Sequence, residues 1–119
     1  HGNLWVGTEN GLNLMDRSTE TFRVFRTQDG LPSNLIQAIT SDSADGLWVS
    51  TFNGLSRLDI SSGSIRNYDA GDGVQSGQFN RNSALRLTTG EILFGGTKGF
   101  NIFFRAFRGI LYGKIPHRY

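Results

Sequence analysis

The chain has 119 residues, of which 12 are basic and 10 acidic, with two histidines and no cysteine. It therefore has no disulfide framework, no cysteine-based metal or redox site, and no apolar run long enough to span a membrane as a helix. Residues 1–104 hold eight basic and ten acidic residues, which excludes the basic stripe that binding to nucleic acid needs.

A strand–turn–strand segment occurs three times along the chain. Gly2–Asp16 and Gly46–Asp59 are close copies, and Gly90–Phe103 is a more divergent one. The glycines that follow the three turns are 43 and 45 residues apart. A repeat of this length is typical of a four-stranded propeller blade. We therefore predict an all-β fold built from antiparallel β-propeller blades, a partial propeller of two to three blades.

The repeats divide the chain into blades within residues 1–104. We expect a partial blade at 1–27, a full blade at 35–70 and a last blade at 82–104. The full blade is predicted to have four strands, at 36–41, 47–51, 55–60 and 64–69. Counted in the same way, the first blade lacks its innermost strand and the last lacks a clear outermost one.

The second strand of the full blade is apolar on both faces. Successive side chains of a strand point to opposite faces, so Leu47, Val49 and Thr51 lie on one face and Trp48 and Ser50 on the other. A strand of this kind belongs between two other layers, which predicts a neighbouring blade on each face. After this strand, Asn53-Gly54 is a strong signal for a two-residue hairpin turn with positive φ at both central residues.

The last fifteen residues differ in composition from the repeats. Residues 105–119 contain four basic and no acidic residues and have no counterpart earlier in the chain. Residues 110–112 could supply a short outer strand to the last blade. The same segment is equally compatible with a cloning artefact or a shifted reading frame, so the status of this basic tail stays open.

No constellation of residues indicates an enzyme, a metal site or a cofactor site. Both histidines, His1 and His117, lie at the termini, where order is rare. Four aspartates stand in Asp-x-x-Asp-Gly contexts, but their spacing lacks the alternate oxygen ligands and the twelfth-position glutamate of a calcium loop. Turns capped by the aspartate side chain explain them better. These residues are Asp42, Asp45, Asp69 and Asp72.

Loop residues that differ between repeats are better candidates for a binding function. Trp5 and Trp48 occupy equivalent positions, which indicates an inter-blade core and not an exposed sugar platform. Function is usually grafted onto non-repeating connections. The candidate ligand-binding residues selected on this basis are Phe52, Arg57, Gln78, Asn80 and Arg81.

The sequence resembles the two-component regulator propeller repeat. The matching text is Asp45–Thr51 with Asn53-Gly54-Leu55, the segment Asp59–Tyr68, and the linker Asp29–Asn34 with its looser echo at residues 72–77. The resemblance covers about residues 2–104. It implies the periplasmic sensor region of a bacterial hybrid two-component kinase, and in that family such regions detect oligosaccharides derived from glycans.

Three functions are compatible with these observations. By resemblance, the chain is a non-catalytic ligand-sensing segment without the kinase parts, and its expected partners are an oligosaccharide and further blades, from the parent protein or from copies in a homo-oligomer. Alternatively, it is a purely structural or oligomerising propeller segment. A propeller lyase or hydrolase is disfavoured because no internal histidine exists. No contact with nucleic acid or membrane is expected.

Overall fold

The computed structural model describes residues 3–42, 45–75, 78–104 and 109–114. In these ranges the chain forms three antiparallel sheets that follow one another in sequence. The predicted all-β class and the propeller blades are confirmed. Among the described residues no helix is long and apolar enough to cross a membrane.

The first two sheets hold seven strands, each sheet arranged in chain order. The strands of the first sheet are β1 (Asn3–Thr8), β2 (Gly11–Asp16) and β3 (Thr21–Phe25). Those of the second sheet are β4 (Ile36–Ser41), β5 (Gly46–Thr51), β6 (Gly54–Asp59) and β7 (Ile65–Tyr68). The four strands predicted for the full blade are therefore present, with ends that differ from the prediction by at most one residue.

The third sheet has four strands in the order β11-β10-β9-β8. They are β8 (Phe79–Arg86), β9 (Ile92–Gly96), β10 (Gly99–Phe104) and β11 (Gly109–Lys114). A one-turn 3-10 segment precedes the innermost strand of the second sheet and of the third, at Thr27–Asp29 and Ala70–Asp72.

Part of the basic tail belongs to the third sheet as the strand β11. It pairs with β10 along its whole length, from Gly99 opposite Lys114 to Phe104 opposite Gly109. The segment 109–114 thus supplies the outermost strand that the sequence left unclear. The rest of the tail, residues 105–108 and 115–119, lies outside the described residues.

Two hydrophobic cores lie between successive sheets, and the second sheet contributes to both. Every residue of β5 is buried, as predicted from its two apolar faces. Leu47 and Val49 pack toward the first sheet, and Trp48 packs toward the third. The prediction that the tryptophans belong to the cores is confirmed, because Trp48 is fully buried and Trp5 packs partly buried against the first core.

The hairpin turns lie one residue earlier in the chain than predicted. The turn of the second sheet has Phe52-Asn53 at its centre, and Gly54 already pairs with Thr51 as the first residue of β6. Gly54 has a φ of 147°, whereas Asn53 does not have a positive φ. The Thr51 hydroxyl explains the shift, because it accepts a hydrogen bond from the Asn53 N–H at 3.2 Å and donates one to the Gly54 carbonyl at 3.0 Å.

The first sheet repeats this arrangement. The Thr8 hydroxyl accepts from the Asn10 N–H at 3.0 Å and donates to the Gly11 carbonyl at 3.1 Å. A threonine before the turn thus fixes the conformation that the Asn-Gly pair alone does not determine.

Candidate ligand site at the hairpin end of the blades

One end of the three sheets carries all three equivalent hairpin turns. The turns are Glu9-Asn10, Phe52-Asn53 and Thr97-Lys98, and we call this end of the blades the hairpin end. The innermost strands β4 and β8 begin at the same end, because Ile36 pairs with Thr51 and Phe79 with Gly96. Loops and strand starts from different sheets therefore meet on one surface.

A cavity of about 590 Å³ lies along the innermost strands. Its lining comes from three elements: Trp5–Glu9 at the end of β1, Ile36–Ile39 of β4, and Arg81, Asn82 and Ala84 of β8. The volume lies in the range of ligand pockets in proteins. Its walls combine apolar side chains, a guanidinium, amides and a carboxylate.

A β-bulge in β8 places polar residues at this cavity. Between the paired residues Phe79 and Ala84, four residues of β8 face the single residue Gly95 of β9. A Cβ atom at position 95 would overlap the Ser83 hydroxyl, so glycine gives the bulge its room. Asn82 adopts a φ of 57°, which asparagine tolerates better than most residues. Bulges of this kind commonly re-aim side chains beside binding sites.

A smaller irregularity in β4 adds Gln37 to the same region. The register of β4 against β5 shifts between Ile36 and Ala38, so Gln37 is an extra residue on its strand. Its Nε2 donates a hydrogen bond to the Phe79 carbonyl at 2.8 Å, which ties β4 to β8. Its Oε1 is buried and has no hydrogen-bond partner among the described residues.

Four of the five predicted ligand-binding residues lie at the hairpin end. Phe52 is a turn residue with 36% of its surface exposed. Gln78 and Asn80 flank the start of β8 and are exposed, and Arg81 follows in the bulge and lines the cavity. Sequence reasoning missed Gln37 and Asn82, because no residue pattern in β4 or β8 signals the two bulges.

The comparisons with known proteins identify the repeat. The family model of the two-component regulator propeller matches residues 30–53. Residues 30–53 are thus similar to a two-component regulator propeller repeat. The resemblance predicted from the sequence is thereby confirmed, although the matched segment covers only the linker before β4 and the hairpin that follows it.

Solved structures extend the similarity over nearly the whole chain. The extracellular domain of the hybrid two-component system BT3049 from B. thetaiotaomicron matches 98% of the chain, with a TM-score of 0.77 and 26% sequence identity. The extracellular domain of the hybrid two-component system BT4673 from the same organism also matches 98%, with a TM-score of 0.81 and 25% identity. Both are extracellular domains, which confirms the expected extracytoplasmic location.

The chain spans 17% and 16% of the lengths of these two domains. The comparison with curated proteins found no significant match. The chain is thus similar in fold to a short part of each solved domain.

Arg57, the fifth predicted ligand-binding residue, lies toward the opposite end of the propeller repeat. Its Nε donates to Asp42 Oδ2 at 2.9 Å, in an ion pair whose side chains are 25% and 9% exposed. The carboxylate of Asp42 raises the pKa of the Arg57 guanidinium above its usual value. The structure therefore does not bring Arg57 together with the other four residues.

Asp42 is the centre of a polar cluster inside the repeat. Besides Arg57, its carboxylate accepts the indole N–H of buried Trp48 at 2.8 Å and the backbone N–H of Gly46 at 2.9 Å. Leu14 and Ile102 stand at the positions of the first and third sheets that correspond to Arg57. Arg57 differs between repeats because it belongs to this local cluster, which sequence comparison of the repeats cannot distinguish from a ligand contact.

Most of the aspartates considered as cation ligands accept hydrogen bonds from backbone N–H groups. Asp69 accepts the Gly71 N–H at 2.9 Å, and Asp72 accepts the Asp69 N–H at 3.0 Å. Asp45 adopts a φ of 63°, a turn conformation that aspartate tolerates. In the part of the chain that the structure describes, no group of three or more acidic residues or histidines is arranged to hold a metal ion.

Proposed function

We propose that this propeller segment is a non-catalytic ligand-sensing part of a two-component sensor, and that its ligand is an oligosaccharide bound at the hairpin end. The similarity to extracellular domains of hybrid two-component systems supports the sensing role. The observation that carries the location is the bulge of β8, which places Arg81 and Asn82 in the wall of a cavity of about 590 Å³, with exposed Asn80 beside them in the chain.

The chemistry of these residues suits a sugar. A guanidinium offers several N–H donors in one plane, and each amide offers both donors and an acceptor. Adjacent hydroxyls of a sugar ring need such planar, multiple partners. The half-exposed ring of Phe52, at the same end of the blades, adds an aromatic surface for the apolar face of a sugar.

The test is a binding measurement with a panel of oligosaccharides released from complex glycans. Calorimetry on the full chain should show binding of at least one member, and Arg81→Ala should weaken it about tenfold, the loss expected for one or two hydrogen bonds from a charged donor. Arg86→Ala is the matched control, because Arg86 is an exposed arginine at the other end of the same strand. Equal affinities of the two variants, or no binding by any member, would contradict the proposal.

A second candidate function, that of a structural stacking unit, is favoured by the two outer sheets. The face of the first sheet away from the core exposes Leu4, Val6 and Phe22, by 42%, 45% and 71%. The third sheet exposes Leu85 and Phe100 by 56% and 37%. Exposed apolar patches of this kind mark association surfaces.

We infer that these faces pack against further blades, either from the parent protein or from other copies of the chain. Light scattering on the purified chain measures this directly. A discrete oligomer that dissociates in Phe22→Glu would support the association of copies. A monomer at all concentrations would exclude copies as the partner and leave the blades of the parent.

A further inference from the structure

Gln37 lies at a bulge of β4 where the strand changes its alternation. Ile36 packs in the first core and Ala38 in the second. In a regular strand, residues two apart lie on the same face, so the extra residue between them reverses the alternation. Bulges often re-aim a side chain beside a binding site. Gln37 thus takes a place outside the alternation, in the wall of the cavity.

The two ends of the Gln37 amide have different surroundings. Its Nε2 donates a hydrogen bond to the Phe79 carbonyl at 2.8 Å. A carbonyl oxygen only accepts hydrogen bonds, so the amide cannot turn over and present its oxygen to Phe79. The other end, Oε1, is buried and has no partner among the residues that the structure describes. The site therefore holds, at this point, an acceptor that cannot become a donor.

An unpaired buried acceptor is unfavourable, and proteins satisfy most such groups. A ligand in the cavity that Gln37 lines can supply the missing donor. Gln37 as a residue is only half-buried, so its amide is close to the cavity surface. A ligand group needs a shift of the wall to reach Oε1, and the side chains of Arg81 and Asn82 are exposed and can make it.

Hydrogen-bond donors and acceptors lie on different sides of the cavity. The side of β1 and β4 offers acceptors, the Glu9 carboxylate and Gln37 Oε1, and the Thr8 hydroxyl already donates its hydrogen to the Gly11 carbonyl. The side of β8 offers the guanidinium of Arg81, which only donates. A hydroxyl group both donates and accepts, so neighbouring hydroxyls of a sugar can pair with both sides. A carboxylate or sulfate group cannot donate and would leave Oε1 unpaired.

We propose that Gln37 determines the specificity of the site, and that its Oε1 accepts a hydrogen bond from a free hydroxyl of the bound oligosaccharide. A neighbouring hydroxyl of the same sugar unit accepts from Arg81. This inference rests on the proposed function and names the part of the ligand that is recognised, an uncharged sugar unit with two free neighbouring hydroxyls. A unit that is deoxygenated, O-methylated or charged at the first of these positions is rejected.

Two substitutions separate the acceptor of the amide from its donor. Gln37→Lys keeps a donor for the Phe79 carbonyl and removes the acceptor, whereas Gln37→Glu keeps an acceptor and removes the donor. Gln37→Glu should therefore lower the melting temperature more than Gln37→Lys, because only Gln37→Glu leaves the Phe79 carbonyl unpaired. The affinities should follow the opposite order. Gln37→Lys should weaken binding about tenfold, and Gln37→Glu should stay within about threefold of the parent.

Calorimetry on the full chain tests this with the same oligosaccharide panel and with monodeoxy analogues of the member that binds most tightly. One analogue should bind the parent about tenfold more weakly than the complete oligosaccharide, and Gln37→Lys should bind the two equally because it has lost the acceptor. Gln28→Lys is the matched control, since Gln28 is exposed in the 3-10 segment at 27–29 and does not line the cavity. Its affinity should stay within about twofold of the parent.

A measurement on the parent chain needs no variant. The NMR signals of the Gln37 side-chain amide should shift when the complete oligosaccharide binds. They should shift clearly less at saturation with the monodeoxy analogue, which lacks the hydroxyl that reaches this amide. The side-chain amide signals of Gln28 should stay in place with both ligands.

The outcomes separate this inference from the proposed function. If no member of the panel binds the parent, the proposed function fails and this inference fails with it. If a member binds and Arg81→Ala weakens it while Gln37→Lys does not, the proposed function stands and this inference alone is overturned. Equal losses in Gln37→Lys and Gln37→Glu would also overturn it, because the tie to β8 would then decide the affinity. If either variant does not fold, the NMR comparison decides, and an unshifted Gln37 amide refutes the contact.

Discussion

Replacing Asp42 with alanine should destabilise the chain more than replacing its ion-pair partner Arg57. Asp42→Ala leaves the indole N–H of Trp48 without its acceptor, and Trp48 is fully buried. An unsatisfied buried donor costs about 1–3 kcal/mol, and loss of the partly exposed ion pair adds about 1 kcal/mol. We therefore expect a loss of about 2–4 kcal/mol in the free energy of unfolding.

Arg57→Ala should cost only about 1 kcal/mol. The carboxylate of Asp42 then still accepts the N–H groups of Trp48 and Gly46, and the lost ion pair was partly exposed. Urea unfolding followed by tryptophan fluorescence gives both values, with Arg86→Ala as an exposed control expected within about 0.5 kcal/mol of the parent. A cost for Arg57→Ala equal to or above that for Asp42→Ala would refute the reasoning.

Gly46 tests the same cluster from its other side. A Cβ atom at this position would overlap the guanidinium of Arg57, although the backbone of Gly46 does not adopt a positive φ. Gly46→Ala should therefore displace Arg57 from Asp42 and cost about as much as Arg57→Ala. In the double variant the two costs should not add, because the clashing side chain is absent. Additive costs would show that Gly46 acts independently of Arg57.

Three further predictions concern the cores, the turns and acid. Trp48→Ala should cost about 3–5 kcal/mol in urea unfolding, and Trp5→Ala should cost clearly less, because Trp5 is only partly buried. Thr51→Val should cost about 1 kcal/mol through loss of both hydrogen bonds of the turn, and an unchanged midpoint would contradict this. Hydrogen bonds from nearby serines lower the pKa of Asp16 and Asp59 in the folded chain below the usual 3.8 of an aspartate. The ionised carboxylates therefore stabilise the fold above the unfolded pKa, and this contribution is lost as the pH falls through the lower folded pKa. The melting temperature should therefore fall less between pH 5 and about pH 2.5 in Asp16→Asn and Asp59→Asn than in the parent. An equal fall in the parent and the variants would contradict this role of the two carboxylates.

The fold was largely predictable because local sequence patterns specify the strands and turns of each repeat. Alternation in residues 47–51 and the turn glycines at a fixed period determine strands, turns and buried faces with little help from distant contacts. The position of the turn was one residue off, because the Thr51 hydroxyl decides it and the Asn-Gly pair resembles a different turn type. β11 was uncertain, since its pairing depends on β10 and its sequence has no counterpart in the other repeats.

The candidate site was predictable only in part. Selecting residues that differ between repeats found Phe52, Gln78, Asn80 and Arg81, which the structure places at the hairpin end. The same rule also selected Arg57, which differs because it pairs with Asp42. Register shifts decide the rest of the site, and the residues that create them carry no pattern visible in a single sequence.

The linkers between sheets also contribute side chains to the cores between them. Leu31, from the linker before β4, is buried in the first core, and Val74, from the linker before β8, is buried in the second. Each linker thus inserts its own side chain as a wedge into the interface that it crosses. We expect the size of this side chain to affect the angle between neighbouring sheets, and in a closed propeller these angles must sum to a full circle. Substitutions at residues 31 and 74 should therefore change the geometry of closure as well as stability.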